Sequence, residues 1–380
     1  MKIPFGKPLI DLNEKNIVKK ILNSNILTHG AYSLKFEKAF TKSTKINHCT
    51  STSSCTAALH IAYLLIGIKK GDEVILPCQT HVATAHSIEI TGGKPIFIDS
   101  DDSTGNINYE LIEKKINKKT KAICVVHFLG KPVNMDKICS LAKKYNLFIV
   151  EDCALALGAK FKNKHVGSFG DFSAFSFYPA KHITTADGGM LGIKKKYFYD
   201  KAKLIKAFGV NKKFQERKIP GDYDVKYLGI NYRLDEIRSA IGLAQLKKLS
   251  KILKKREQNF IALNRLLGKL NKIKVINTNS IKNFKSSYYC LSFILNDQIQ
   301  KKRKEIIKFL NKKGIGTSIY YPKIIPEFYY YKQKYKLNTS QFKNGKKISN
   351  NSICLPVAPH INKKDIMHMY KSIKEILEYF

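Results

Sequence analysis

The sequence predicts an α/β protein: a mainly parallel sheet buried on both faces, followed by a smaller α/β domain. Three observations carry this prediction. Short, continuously apolar runs at residues 74–77, 95–99, 122–128, 147–152, 172–177 and 190–193 alternate with segments of helical period. The runs lack the in–out alternation of a half-exposed strand, so both faces of their sheet are covered. After a long helical pattern at 231–267 the alternation resumes on a smaller scale, which divides the chain into domains 1–245 and 246–380.

Taken in order, residues 12–24 and 34–42 have the spacing of short amphipathic helices, with His29 and Gly30 in the loop between them. Ser51, Thr52, Ser53 and Ser54 precede a helix over 56–65. Two readings fit this hydroxyl run: N-capping by Ser53 or Ser54, or an anion site built on the unpaired N–H groups of the helix start. Gly71 and Asp72 turn into strand 74–77, and residues 79–91 and 109–117 read as helices on either side of strand 95–99. Strand 122–128 leads through helix 135–146 to strand 147–152, which ends in Glu151 and Asp152. Acids at this end of a parallel strand stand where such sheets bind ligands, or else they cap the next turn.

Strand 172–177 runs into a turn at Pro179, and Lys181 follows, before Gly188 and Gly189 loosen the backbone. A lysine there is well placed as an amine whose pKa is lowered by its surroundings, as Schiff-base chemistry requires. Pyridoxal phosphate needs such a lysine, a carboxylate at its ring nitrogen and an anion site for its phosphate. Lys181, Asp152 and the helix start at 53–56 supply all three. No G-x-G-x-x-G follows the first strand and no Walker loop is present, which speaks against a dinucleotide fold. Residues 212–229 read as a flexible loop, and 231–267 as one long helix. Strands at 287–295 and 315–322, a basic helix at 301–312 and a final helix from 364 complete the smaller domain, with 326–351 unassigned.

A chain of 380 residues, 44% hydrophobic, can bury a large core. No run reaches roughly 18 apolar residues, so no membrane span is expected. The start, MKIPFGKPLIDLNEKN, lacks the apolar stretch of a signal peptide, and the expected location is the cytoplasm. The formal charge is +39. Its basic residues are spread as lysine pairs over the whole chain, which fits a lysine-rich solvated surface better than a nucleic-acid stripe. Attraction of anionic small substrates is a milder consequence of the same charge. None of the eight cysteines forms a C-x-x-C pair, so no metal site is expected, and reduced thiols are the simpler account.

These segments resemble, over nearly the full length, the sugar aminotransferases of the DegT/DnrJ/EryC1/StrS family. The likeness runs through LTHG, FEKAF, SSCTAALH, GDEVILP, VVHFLGKPVNMD, IVEDCALALGA, FSFYPAKHITTADGGM, LGINYRLDEIRSAIGLAQLKKL, GIGTSIYYP and ICLPVAPH. The resemblance implies a fold-type-I pyridoxal-phosphate enzyme, with a seven-stranded, mainly parallel sheet sandwiched by helices and a smaller C-terminal α/β domain. It implies Lys181 as the Schiff-base lysine and Asp152 as the acid at the ring nitrogen. It implies Ser54, Cys55, Thr56 and Ser176 at the phosphate, and Asn231 given to that phosphate by a neighbouring subunit, hence a homodimer. Three positions depart from the family pattern. Cys55 replaces a common glycine, His81 stands for an aromatic that stacks on the ring, and Leu155 stands where Gln or His often faces the ring hydroxyl. The implied reaction moves an amino group from glutamate to a nucleotide-linked keto sugar, a 4-keto-6-deoxyhexose. A sugar dehydratase of the same family is the rival, disfavoured because those members replace the lysine by histidine. A basic nucleic-acid-binding regulator is the rival from another class.

Overall fold

The computed structural model describes residues 2–211, 219, 221–276 and 283–380, so residues 212–218 and 220 of the loop expected at 212–229 lie outside the described residues. The strands of the first half are β1 (His48–Thr52), β2 (Glu73–Pro77), β3 (Lys94–Ile98), β4 (Thr120–Val126), β5 (Phe148–Asp152), the two-residue β6 (Lys160–Phe161) and β7 (Lys164–His165), β8 (Phe172–Ser176) and β9 (Gly189–Ile193). Seven of them form one sheet in the order β1-β9-β8-β5-β4-β2-β3. Strands β3, β2, β4, β5 and β8 run parallel. Strand β9 is inserted antiparallel between β1 and β8.

The apolar runs split their side chains between two layers, as the two-residue period of a strand demands. Val74, Leu76, Cys124 and Val150 face one core with Ala58, Leu59 and Tyr63. Ile75, Ile123, Val125 and Ile149 face another with Val133, Met135 and Ile138. The covering helices are α1 (Leu12–Leu22), α2 (Ala31–Thr44), α3 (Cys55–Ile66), α4 (Val82–Ile90), α5 (Met135–Lys144) and α6 (Lys196–Ile205). The segment expected as a helix at 109–117 is instead two 3₁₀ turns, Tyr109–Leu111 and Glu113–Lys115. Ile112 is fully buried there, and Tyr109, Leu111 and Ile116 pack against the same core.

The sequence HCTST conceals β1 because its buried side chains are hydroxyls. Those of Thr50 and Ser51 are satisfied by one carboxylate of α2, and Thr52 Oγ1 donates to the Ser54 carbonyl at 2.9 Å. Glu37 Oε1 accepts from Thr50 Oγ1 (3.1 Å), Ser51 N (2.7 Å) and Ser51 Oγ (2.8 Å), and pairs with Lys206 Nζ at 3.0 Å. Burial alone would raise the Glu37 carboxyl, but Lys206 and the Ser51 donors outweigh it and hold the carboxyl below its ordinary value. This clamp fixes the strand that delivers residues 53–56 to the centre of the molecule.

The long helix expected at 231–267 is two helices, α7 (Glu236–Lys247) and α8 (Leu249–Leu267). The first starts late because Asp235 caps it, accepting from Arg238 N at 2.8 Å. The break falls at Lys248, whose ammonium is drawn to Asp11 (2.8 Å) and Glu14 (2.6 Å) at the start of α1. Helix α7 packs on α1 and α2, while α8 packs on the C-terminal layer. That layer holds β10 (Ile273–Val275), β12 (Leu291–Leu295) and β13 (Ser352–Leu355) as an antiparallel sheet; β11 (Phe284–Lys285) pairs instead with β6. Helices α9 (Arg303–Lys312), α10 (Tyr329–Tyr335), α11 (Lys343–Asn351) and α12 (Lys363–Tyr379) complete it. Its core gathers Phe260, Leu263, Leu291, Phe293, Leu310 and Ile373, and Ile3 joins it from the N-terminus. The strand expected at 315–322 is reduced to isolated bridges of Ile315 with Ile3 and Ser318 with Cys354, because the chain turns away to reach the large sheet. There Gln79 Nε2 donates to the Tyr320 carbonyl at 2.9 Å.

Lys206→Met is expected to lower stability by about 3 kcal/mol, since it leaves a buried carboxylate unpaired. A carboxyl with a depressed folded pKa contributes stability above its unfolded pKa and loses it as pH falls through the folded value. The gap between wild type and variant, read from urea midpoints, should therefore close in acid. A gap that is the same at neutral and acidic pH would contradict the role given to Glu37.

Candidate active site

Three strand ends meet where β9 is inserted. Gly189 pairs with Thr52 of β1 on one side and Ser176 of β8 on the other. A Cβ at Gly189 would lie 2.5 Å from the carbonyl carbon and oxygen of Ser54 and 2.6 Å from Cys55 N, so only glycine lets the turn before α3 settle on this strand end. Ser54 caps α3 by accepting from Ala57 N at 3.1 Å, and Ser53 N donates to the Tyr232 carbonyl at 2.8 Å. No hydrogen bond among the described residues uses the amides of Cys55 and Thr56. These free N–H groups, the helix dipole and the nearby Ser176 hydroxyl make a site for an anion. Both readings of the hydroxyl run thus hold together: Ser54 caps, and the amides beyond it are left over.

Asp152 ends β5 with 5% of its surface exposed. Its Oδ2 accepts from Thr84 Oγ1 at 2.8 Å and its Oδ1 from Ala154 N at 3.0 Å, with Thr80 Oγ1 in turn 2.8 Å from Thr84 Oγ1. Among the described residues no cation lies within ion-pair distance of it. A buried carboxylate held by neutral donors alone is a costly arrangement unless a cationic ligand completes it. Glu151, one residue earlier, faces the opposite side and is fully used. It accepts from Gly167 N (2.6 Å), Phe169 N (2.9 Å), Gly170 N (2.6 Å) and His127 Nε2 (3.0 Å). His127 Nδ1 accepts from Val133 N at 3.0 Å, so Nε2 carries the proton. Of the two acids the sequence offered, Glu151 ties down a loop and Asp152 opens on the site.

Lys181 follows β8 through a turn closed by its own N–H on the Tyr178 carbonyl at 2.9 Å. Burial lowers its pKa, opposed by the nearby Cys55, Asp152 and Cys290. Its Nζ lies 5.4 Å from the ring centroid of Tyr289. From there an aromatic wall continues. Tyr289 and Tyr320 share a 2.7 Å hydroxyl contact, and Tyr321 packs edge-on against His81 at 5.5 Å. His81 caps α4, accepting from Ala83 N at 3.1 Å, and burial lowers its pKa, which favours the neutral imidazole.

The structure therefore brings Lys181, Asp152, His81, Ser176, Ser54, Cys55 and Thr56 around one cleft. Asn231 is not among them within this chain. It is exposed, next to Tyr232, and its backbone bridges to Ala207. Leu155 is a core residue, packed with Phe128, Leu129 and Tyr289. The hydroxyls of Thr184 and Thr185 donate to the carbonyls of Phe177 (3.0 Å) and Asp187 (2.7 Å), which accounts for that loop by turn formation. Sequence reasoning missed Thr84 and Tyr289. The first had a signal, two threonines at i and i+4 across a helix start; the second reaches the cleft from the C-terminal layer, and nothing local marks it.

The family model described as the DegT/DnrJ/EryC1/StrS aminotransferase family matches residues 8–374. The chain is 36% identical to GDP-perosamine synthase of Escherichia coli O157:H7, with 98% of each chain covered. It is 34% identical to the UDP-4-amino-4,6-dideoxy-N-acetyl-beta-L-altrosamine transaminase of Campylobacter jejuni strain 81-176, covering 99% of this chain and 98% of the other. Among solved structures, Helicobacter pylori PseC, an aminotransferase involved in the biosynthesis of pseudoaminic acid, superposes with a TM-score of 0.92 at 30% identity and full coverage of both chains. Spr1654 from Streptococcus pneumoniae in its PMP form gives 0.93 at 25% identity, again with full coverage.

Glu151→Gln should lower the thermal midpoint clearly, because an amide turns a donor toward N–H groups that need an acceptor. Asp152→Asn should leave the midpoint near wild type and cut turnover by about 10²-fold or more. Comparable unfolding curves for the two variants would overturn this division of labour.

Proposed function

The chain belongs to the DegT/DnrJ/EryC1/StrS aminotransferase family, the pyridoxal-phosphate-dependent sugar aminotransferases, and from that premise we propose that it moves an amino group from glutamate to a nucleotide-linked 4-keto-6-deoxyhexose. The single observation that carries the site assignment is the buried, cation-free Asp152 beside Lys181 at adjoining strand ends. Pyridoxal phosphate fits this donor set. Lys181 would hold its aldehyde, Asp152 its ring nitrogen, and the amides of Cys55 and Thr56 with Ser54 and Ser176 its phosphate. His81 would lie on the ring. Once bound, the cofactor supplies an electron sink for a carbanion at the amine-bearing carbon.

What the chain itself contributes is proton control and orientation. Asp152, oriented by the Thr84 and Ala154 donors, would hold a proton on the nitrogen facing it. Lys181, its ammonium disfavoured by burial, is a competent base at the donor's α-carbon and would return that proton to the carbon on the far side of the intervening nitrogen. The tyrosines 289, 320 and 321 close the cleft against water.

The sugar class rests on the relatives named for GDP-perosamine and for a UDP-4-amino-4,6-dideoxy sugar. The proposal includes a large domain 1–245, a small domain 246–380 and a cytoplasmic homodimer in which Asn231 reaches the partner's phosphate site. The dimer is supported by apolar surface. Leu228 is 92% exposed, and Ile10, Val18, Leu22 and Ile241 line a surface groove beside α1. Among the described residues no helix is long and apolar enough to cross a membrane.

Incubation with glutamate and a panel of nucleotide-linked keto sugars, read by mass spectrometry, tests the reaction. An amino sugar should form from at least one 4-keto-6-deoxyhexose and not with Lys181→Ala. Formation of a deoxy-keto sugar in its place would establish the dehydratase. A cofactor-loaded protein that aminates no member of the panel would refute the substrate class. Mixing inactive Asn231→Ala and Lys181→Ala chains should restore part of the activity if the sites are shared, and none if Asn231 serves its own chain.

A further inference from the structure

The Tyr289 ring has no part in the reading above beyond closing the cleft, yet its surroundings are built to hold it rigid. Ser287 N donates to the Gly130 carbonyl (3.0 Å) and Ser287 Oγ to the Leu155 carbonyl (2.8 Å). His182, the residue after Lys181, contacts the Ser287 carbonyl through Nε2 at 2.9 Å. Arg256 Nη1 donates to the carbonyl of Tyr289 itself at 2.7 Å. Gly130 has φ +82°, and a Cβ there would strike Ser287 Oγ at 2.0 Å and the Leu155 carbonyl at 2.7 Å, so the seam closes only around glycine. The seam joins the ends of β4 and β5 and the turn carrying Lys181 to one short segment, and that segment delivers a buried ring to within 5.4 Å of Lys181 Nζ.

We propose that Tyr289 is a positioning residue: the face of its ring is the resting place of the Lys181 ammonium when that lysine is released from the cofactor and protonated. The inference rests on the reading that Lys181 is the cofactor-bearing lysine. Such a lysine alternates between bonded and free states. When free and protonated, it holds its charge in a cleft where burial disfavours it. The negative face of an aromatic ring offsets that penalty without an anion that would trap the lysine in a salt bridge. The other groups near the amine are Cys55 on α3, Asp152 on β5, Cys290 beside Tyr289, His81 at the start of α4 and its own neighbour His182. The imidazoles are shifted toward the neutral form and the Cys55 and Cys290 thiols upward, and Asp152 would be occupied by the ring nitrogen of the bound cofactor, so the Tyr289 ring is the remaining partner at the amine. Burial also raises the Tyr289 phenol, which therefore stays neutral while Lys181 titrates.

The test uses the full chain loaded with pyridoxamine phosphate, in which Lys181 is free. Labelling of Lys181 by acetic anhydride is followed against pH by peptide mass spectrometry. In Tyr289→Leu the midpoint should fall by about half a unit to one and a half units, because the ammonium has lost its ring face. In Tyr289→Phe, which keeps the face and loses the hydroxyl, it should match wild type. Tyr289→Met serves if the leucine variant does not fold. An unchanged midpoint in the aliphatic variant would overturn the proposal, as would an equal fall in the phenylalanine variant, which would assign the effect to the hydroxyl pair with Tyr320. A wild-type chain whose Lys181 labels as readily with pyridoxal phosphate bound as with pyridoxamine phosphate would instead refute the premise.

Discussion

The site depends on how closely two backbones approach. Strand β9 enters the sheet antiparallel, and its first residue, Gly189, touches the Ser54 carbonyl where the chain turns into α3. That contact sets three strand ends side by side and fixes where the N-terminus of α3 can stand. The rest is arranged about it. The Glu37 clamp holds β1 from behind. The pairing of Ser176 with Gly189 puts a hydroxyl beside the helix start, and the turn after β8 brings Lys181 back toward β5. A side chain at 189 would push the α3 turn away and open the anion site before altering any catalytic residue.

The electrostatic logic is one of deliberate incompleteness. Most buried ionisable groups here are settled within the chain. Glu37 has Lys206, Glu151 has three amides and an imidazole, and Glu14 has Lys248. Among the described residues Asp152 has donors but no cation, and the amides of Cys55 and Thr56 have no acceptor. A folded chain tolerates such leftovers where a ligand of opposite character supplies the missing partner. The leftovers are a carboxylate, a pair of N–H groups and an amine, and together they describe a molecule with a basic ring nitrogen, an anionic arm and an aldehyde.

Much of this was legible in the sequence, and the exceptions have physical causes. Lys181, Asp152 and residues 53–56 could be read because strand ends in a parallel sheet converge, so positions far apart along the chain share one edge. Six of the seven sheet strands announced themselves as apolar runs. The seventh, β1, did not, since its buried hydroxyls, paired to a carboxylate and a backbone carbonyl, look like loop composition. The break at Lys248 was hidden because apolar spacing continues across it, while the ion pairs that break it lie near the N-terminus. The place of Tyr289 was invisible for a related reason: packing of the C-terminal layer onto the large sheet decides it, and local pattern carries no trace of that.

Two adjacent acids with opposite duties carry one more implication. In a strand, neighbouring side chains point to opposite faces, so Glu151 and Asp152 are separated by geometry alone. Loss or gain of a single residue within β5 would turn each to the opposite face, taking Asp152 out of the cleft and Glu151 away from the loop at 167–170. The mutational tolerance of this strand is therefore asymmetric. Apolar exchanges along it are survivable, whereas insertions and deletions, which surface loops absorb readily, would damage fold and chemistry in one event.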